Sequence, residues 1–364
     1  MDYAISIVVP AHNVQRYIEQ CCRSILSQLR ANHELIVVDD GSRDNTLALV
    51  LKLQETWTGS NFHVFSQESG GMASARNHCV RAAQGDYIAF VDGDDVLLPG
   101  ALAALDQAIR EHRPDVVACD FRMWHPEDPS KTRCVRLGYP VAKLLRDPEA
   151  ILKTFFADRQ MYIWSNVFRR DVYAQLKAPV FPPDRLFEDV ATVPRLMSQC
   201  RSLVHLAHPV IDYRQAPTAP AVSEKWCLDF ASALPLARQH LQASGAAESV
   251  RRHYDIAAAY LYVGVVKNSY RLPRAEGRRV RALLKPIFAG SVFGDSASMV
   301  ATTGRADTIS NDRTLDAVII RQVESALTGG VVVNFRKAAS RKLKLWRRLR
   351  KARHKPGEHP DQQH

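Results

Sequence analysis

Cysteine is scarce and unpatterned in this chain: seven residues in 364, an odd number, with no C-x-x-C pair among them. That spacing suggests neither a disulfide framework nor a zinc site, so the thiols are read as reduced. Cys21 and Cys22 fall in a helical pattern, where they serve as small apolar packing groups. Long hydrophobic runs are missing too. The best, residues 256–266, falls far short of the roughly 20 apolar residues that a transmembrane helix needs. No basic leader or cleavage signal precedes Ile5-Ser6-Ile7-Val8-Val9-Pro10, which reads as a first strand and makes a cytoplasmic protein the expectation. Internal repeats are absent.

What is present begins with enough apolar material for a core. Hydrophobic residues make up 46% of the chain, sufficient for one large or two ordinary domains. The formal charge of +11 is concentrated at one end. From Val331 onward eleven Lys or Arg stand against Glu358 and Asp361, whereas the rest of the chain carries 38 basic and 36 acidic side chains. An electrostatic partner therefore belongs to the tail.

The stretch Gly85-Asp86-Tyr87-Ile88-Ala89-Phe90-Val91-Asp92-Gly93-Asp94-Asp95 organises the reading. Residues 87–91 are aromatic, apolar and β-favouring, as in a buried parallel strand, and they lead into three carboxylates. Asp92, Asp94 and Asp95 repel one another unless water or a cation intervenes. Hard oxygen ligands suit Mg²⁺ or Mn²⁺, ions that bind through one or two carboxylates plus substrate phosphates, so a metal-bound diphosphate is the first suspicion. An isolated Asp-x-Asp is more often just an acidic turn. The surrounding pattern favours the ligand site.

Strands are expected at 5–9, 34–38, 62–65 and 87–91, alternating with helices at 14–29, from 46 to 53 or beyond, and at 73–83. The first helix is the clearest: Val14, Tyr17, Ile18, Cys21, Cys22, Ile25, Leu26 and Leu29 recur at three- and four-residue intervals. Such alternation predicts an α/β fold, a mostly parallel sheet with helices on both faces. Ligands collect outside the C-terminal strand ends of such sheets. Residues 10–13, Asp39-Asp40 and residues 92–95 converge on that edge. Further on, a helix over 101–112, a strand over 115–120, a polar excursion over 121–150, a helix over 190–200 and a strand over 203–206 are expected. Beyond Pro217 and Pro220, helices are predicted over 226–241, 246–268 and 274–288.

Four motifs in this order and spacing are specific: Ser6-Ile7-Val8-Val9-Pro10-Ala11-His12-Asn13, Glu34-Leu35-Ile36-Val37-Val38-Asp39-Asp40-Gly41-Ser42, Ala73-Ser74-Ala75-Arg76-Asn77 and Phe90-Val91-Asp92-Gly93-Asp94-Asp95. On them the chain resembles family 2 glycosyltransferases with the GT-A fold, especially bacterial enzymes that build surface polysaccharides. The resemblance is strong over residues 4–105, moderate to about 215 and not visible beyond. It implies a Rossmann-like GT-A domain over 1–215, with a nucleotide-sugar half (1–105) and an acceptor half (106–215); the sequence pattern itself adds a mostly helical region over 216–330 and a basic amphipathic tail over 331–364.

Residue by residue, the resemblance makes Pro10, Ala11, Asn13 and Asp40 contacts to the nucleotide and Arg76 a partner of its phosphates. Asp39 reads as an Asx turn closing the strand. Asp94 becomes the metal ligand, Asp92 lies nearer the ribose and sugar, and Asp95 supports them. Glu188-Asp189 matches the family's acidic pair, which makes Asp189 the base that takes the acceptor proton; otherwise the pair would read as a helix N-cap. Trp164 falls where relatives carry an aromatic near the acceptor, with Asn166 in place of their lysine. Ser69 replaces a common asparagine, and His12 an aromatic ring, for which packing or stacking is expected.

The implied activity is inverting transfer from a nucleotide diphosphate sugar, a UDP-sugar first, to a glycan or lipid-linked glycan acceptor, with Mn²⁺ or Mg²⁺. A sugar nucleotidyltransferase would need a glycine-rich phosphate loop after the first strand, and residues 10–13 are not one. The rival from another class is a catalytically silent sugar-nucleotide-binding or membrane-scaffold protein. In the tail, Phe335, Ala339, Leu343, Trp346 and Leu349 recur at helical spacing among basic residues. That pattern suits an anionic membrane interface, making the protein peripheral at the inner face of the membrane. Docking of the stripe on the body is the alternative, and nucleic-acid binding has no support elsewhere in the chain.

Overall fold

The computed structural model describes residues 4–215, 221–294 and 313–328; the basic tail, with its membrane reading, lies outside the described residues. The chain runs β1 (Ile5–Ala11), α1 (Ile18–Leu26), β2 (His33–Asp40), α2 (Thr46–Thr56), β3 (Phe62–Gln67), α3 (Met72–Ala82) and β4 (Tyr87–Phe90). These strands order β3-β2-β1-β4, all parallel, with β1 and β2 buried along their whole length. Continuous apolar runs of this kind fit a sheet covered on both faces.

Strand β1 runs two residues past its expected end, through Pro10 and Ala11. The missing Pro10 N–H costs nothing there. The Val8 carbonyl accepts from the Val91 N–H, so Val8, and Pro10 two residues on, face β4, whose ladder stops opposite Val8. Helix α1 is shorter than its apolar repeat, because Val14 and Tyr17 belong to a turn in which Tyr17 and Ile18 both donate to the Val14 carbonyl.

The second half of the sheet departs from parallel order. It adds β5 (Val96–Leu97), β6 (Val116–Trp124), β7 (Arg133–Val135), β8 (Asn166–Arg169) and β9 (Leu203–Arg214), reached through α4 (Ala101–His112), α5 (Pro148–Asp158), α6 (Arg170–Ala174) and α7 (Glu188–Met197). Strand β8 inserts antiparallel between β4 and β6, and β9 lies parallel to β6 and antiparallel to β5. The sheet is therefore mixed. Four helices follow: α8 (Glu224–Ala243), α9 (Glu248–Ser269), α10 (Arg274–Ala289) and α11 (Arg313–Thr328). Helix α8 packs on α7, and α9 on α5, so the helical region shares one core with the sheet. Among the described residues no helix is long and apolar enough to cross a membrane, and all seven cysteines are free thiols.

The tightest backbone approach lies under the central strands. A Cβ on Gly85 would sit 2.6 Å from the Ser6 nitrogen and 2.9 Å from the Ile5 carbonyl carbon, both main-chain atoms that cannot swing aside. Gly85 N–H also donates to Ser6 Oγ at 2.8 Å, beside the buried Glu34 carboxylate. Gly85→Ala is therefore expected to destabilise the fold by about 1–3 kcal/mol, by forcing β1 and β4 apart. Denaturant titration reads this directly, and an unchanged midpoint would count against that packing.

Candidate active site

The crevice is built at the C-terminal ends of β1, β2 and β4. Pro10 and Ala11 are buried at the end of β1. Asn13, in the left-handed region at φ 52°, ties the following turn across to β2: its N–H donates to Ser42 Oγ (2.9 Å) and its Oδ1 accepts from Arg43 N–H (2.8 Å). His12 faces solvent and hydrogen bonds rather than stacks. Its Nδ1 lies 2.7 Å from the Asp40 carbonyl, an acceptor, so Nδ1 carries the proton and Nε2 accepts from Asn13 Nδ2.

Asp39 closes the expected Asx turn, accepting from Ser42 N–H at 3.1 Å. Asp40 does something the sequence does not disclose. Its carboxylate accepts from Gly70 N–H (2.9 Å), Gly71 N–H (2.8 Å) and Gln67 Nε2 (2.7 Å), with Ser69 Oγ at 3.4 Å. It fixes the loop that opens α3, and Ser69 joins that loop's anchor.

Arg76, on α3, crosses the crevice floor. Its Nη2 donates to Asp92 at 2.9 and 3.3 Å and its Nη1 to Glu188 at 2.7 Å, while the residue is only 4% exposed. Both terminal nitrogens are thus committed to carboxylates, and Arg76 bridges the acidic turn to the start of α7. Burial opposes its charge, but Asp92, Glu188 and Asp189 outweigh that and hold its pKa above the ordinary arginine value.

In the turn after β4, Asp95 N–H donates to the Asp92 carbonyl at 2.9 Å, which gathers the three carboxylates. Arg214, at the end of β9, was not singled out by any sequence pattern. Its Nε donates to the Asp94 carbonyl (2.6 Å) and its main-chain N–H to Asp95 Oδ1 (2.8 Å), with the guanidinium 4.5 Å from the Tyr17 ring centre and 4.4 Å from that of Trp124. Cation–π contacts on both sides hold it. The only hint in the sequence was its place at the end of a strand whose partners could not be read locally. Burial, and then the neighbouring Asp92 charge, raise the pKa of Asp94; the same causes, with Asp94 added, raise that of Asp95. Asp95 Oδ2 is buried without a hydrogen-bond partner. Carboxylates under such strain fit a cation. Asp94 and Asp95 are the residues that gain from one, although no cluster of three or more ligating side chains exists among the described residues.

Glu188 and Asp189 do not precede α7; they form its first turn, and the capping residue is Phe187 at φ 61°. A bulky residue there carries about 1–2 kcal/mol of backbone strain. Glu188 is buried against Arg76, and Asp189 is half-buried. Burial pushes the Asp189 carboxyl up to about 7; Arg76 opposes the rise and Glu188 adds to it. That is the range in which a carboxylate can take a proton near neutrality. A cavity of about 600 Å³ opens beside it, lined by Met72, Arg76, Leu186, Asp189 and Trp226 among others.

Trp164 does not face this cavity. It is 3% exposed, with Tyr162 stacked on it at 4.7 Å, Tyr213 at 4.9 Å and Phe121 edge-on at 4.7 Å. Its faces are covered, so it supports the wall rather than stacking on an acceptor. Asn166 is likewise buried, donating to the Tyr162 carbonyl at 2.9 Å.

Comparison with known proteins agrees with this geometry. The family model described as glycosyl transferase family 2 matches residues 6–174. The chain is 27% identical over 260 residues to the uncharacterized glycosyltransferase EpsJ of Bacillus subtilis (strain 168), spanning 70% of this chain and 72% of EpsJ. It is 38% identical over 102 residues to the UDP-Glc:alpha-D-GlcNAc-diphosphoundecaprenol beta-1,3-glucosyltransferase WfgD of Escherichia coli, covering 28% of this chain and 39% of WfgD. In fold it resembles S. aureus TarS residues 1–349, solved with UDP-GlcNAc, at a TM-score of 0.63, with 20% identity, 91% of this chain and 93% of that one covered. That likeness extends through the helical region.

Proposed function

Residues 6–174 are a family 2 glycosyltransferase domain on a GT-A fold, and from that premise we propose that the protein is an inverting transferase, moving a sugar from a nucleoside diphosphate donor to a glycan or lipid-linked glycan during cell-surface polysaccharide synthesis. The observation that carries the reading is the Arg76 bridge. One guanidinium, 112 residues from Glu188 in sequence, joins that carboxylate, next to Asp189, to Asp92 of the acidic turn. Donor-side and acceptor-side carboxylates thereby share one crevice.

In this reading Pro10, Ala11 and Asn13 wall the base end of the donor, and Asp40 acts there by fixing Gly70 and Gly71. Asp189, in its unprotonated form, accepts the proton of the acceptor hydroxyl as that oxygen bonds to the anomeric carbon and the bond to the diphosphate breaks. The 600 Å³ cavity beside Asp189 gives the acceptor its approach. Asp94, supported by Asp95, would hold Mn²⁺ or Mg²⁺ together with the diphosphate and water, and the ion would neutralise charge on the departing nucleoside diphosphate. A UDP-sugar and a lipid-linked acceptor are favoured because WfgD is named for both. Contact with an anionic membrane surface through residues 331–364 would bring such an acceptor within reach; salt-independent failure to bind anionic vesicles would remove that part.

Calorimetric titration with UDP-, GDP- and dTDP-sugars, with and without Mn²⁺, tests the core of the proposal. Binding of one donor is expected to require the metal and to be lost in Asp94→Asn. Absence of binding to every donor would overturn it in favour of a silent scaffold.

A further inference from the structure

The last four residues of the loop that delivers the proposed base, 184–187, are each fastened to α8. The Asp184 carbonyl accepts from Lys225 Nζ at 2.9 Å, and Arg185 Nη2 donates to Ser232 Oγ at 2.6 Å. Leu186 N–H donates to Asp229 Oδ2 at 3.0 Å, and Lys225 Nζ holds that same oxygen at 2.7 Å. The Phe187 ring lies edge-on between Trp226, at 5.1 Å, and Phe230, at 4.4 Å.

Burial does not explain this fastening. Asp184 and Leu186 are exposed, Leu186 by 43%, so at these two residues α8 grips main chain, and only Phe187 offers it an apolar side chain. Two of the four residues, Asp184 at φ 58° and Phe187 at φ 61°, sit in the left-handed region, which aspartate tolerates but a bulky phenylalanine does not favour. A conformation of that kind persists only where its surroundings over-determine it. Immediately after Phe187 come Glu188, bonded to Arg76, and Asp189.

We propose that α8 is a splint for catalysis: Asp229, assisted by Ser232, is a positioning residue that holds residues 184–187 in their path, left-handed at Asp184 and Phe187, and so sets Asp189 against the acceptor hydroxyl. The inference rests on the assignment of Asp189 as base, and it gives a task to a helix beyond the segment matched by the family model. Reacting groups must meet within a few tenths of an ångström, and a misplacement of about 1 Å can cost on the order of 10²-fold in rate.

The test compares Asp229→Leu with Asp229→Asn in the full-length protein. Asparagine keeps an acceptor oxygen for the Leu186 N–H; leucine keeps only the volume. Asp229→Leu is expected to lower kcat by about 10²-fold, with donor affinity by calorimetry and the melting midpoint near wild type, and Asp229→Asn to restore most of the rate. Ser232→Ala, which removes only the Arg185 tie, is expected to give a smaller fall in kcat, and it serves if the leucine variant does not fold. Wild-type kcat in both Asp229→Leu and Ser232→Ala would overturn the splint, as would parallel losses of donor affinity, stability and rate. Asp189→Asn run alongside separates the two levels: if it is inactive while the α8 variants are unaffected, only the splint fails, whereas full activity of Asp189→Asn rejects the base and the splint together.

Discussion

Asp189→Asn is expected to lower sugar transfer by about 10²–10⁴-fold while donor affinity stays close to wild type. The substitution keeps size and shape, and the amide cannot take up the proton that the attacking hydroxyl must lose. Because burial lifts the Asp189 carboxyl to about 7, the direction of the pH dependence follows. Below that value the carboxyl holds its own proton and cannot act as base; above it the carboxylate is available. In the wild type, kcat/KM is therefore expected to fall as pH drops through about 7, and the residual activity of the variant should lack that limb. Steady-state kinetics from pH 5 to 9, paired with donor calorimetry, read both effects. A variant with wild-type turnover, or with the same acid limb, would reject Asp189 as the base.

Removing Arg76 should have the second large effect, and it reaches both stability and chemistry. Arg76→Met fills a similar volume but leaves Asp92 and Glu188 without the cation that bonds to both. Breaking a buried pair by deleting one partner costs about 3–5 kcal/mol, so a marked drop in the denaturation midpoint is expected. Arg76 is also the largest influence, ahead of the Val190 N–H, that holds the Asp189 pKa down against burial and Glu188. Without it the acid limb should move above about 7, and activity at neutral pH should fall further than the loss of folded protein explains. Arg76→Lys restores a charge but not the fork, since one ammonium cannot take the place of two nitrogens aimed at different carboxylates. Its acid limb should lie between the other two. A methionine variant with unaltered stability and an unmoved limb would show that the bridge does not govern the site.

Much of this was legible in the chain itself. The runs of apolar residues at β1, β2 and β4, the helical repeat of α4 and the three helices α8 to α10 were expected close to where they fold. So was the convergence of residues 10–13, Asp39-Asp40 and residues 92–95 on one sheet edge. The structure departs from a purely local reading where a distant partner decides the outcome. Glu188 and Asp189 look like a helix cap in sequence and lie inside the helix, because Phe187 takes the left-handed capping position against Trp226 and Phe230. Trp164 resembles an acceptor platform until Tyr162, Tyr213 and Phe121 close around it. Arg214 is marked in the sequence only by its place at the end of a strand.

The sequence by itself determined the strands and helices of residues 4–105 and the presence of three acids after one strand, because periodicity and turn chemistry act between neighbours in the chain. Only the tertiary structure decided that Arg76 bridges Asp92 and Glu188, that Arg214 clamps the acidic turn, that the second half of the sheet is mixed and that Asp189 titrates near neutrality. Charge pairing and desolvation depend on which distant groups exclude water together, and no local pattern encodes that.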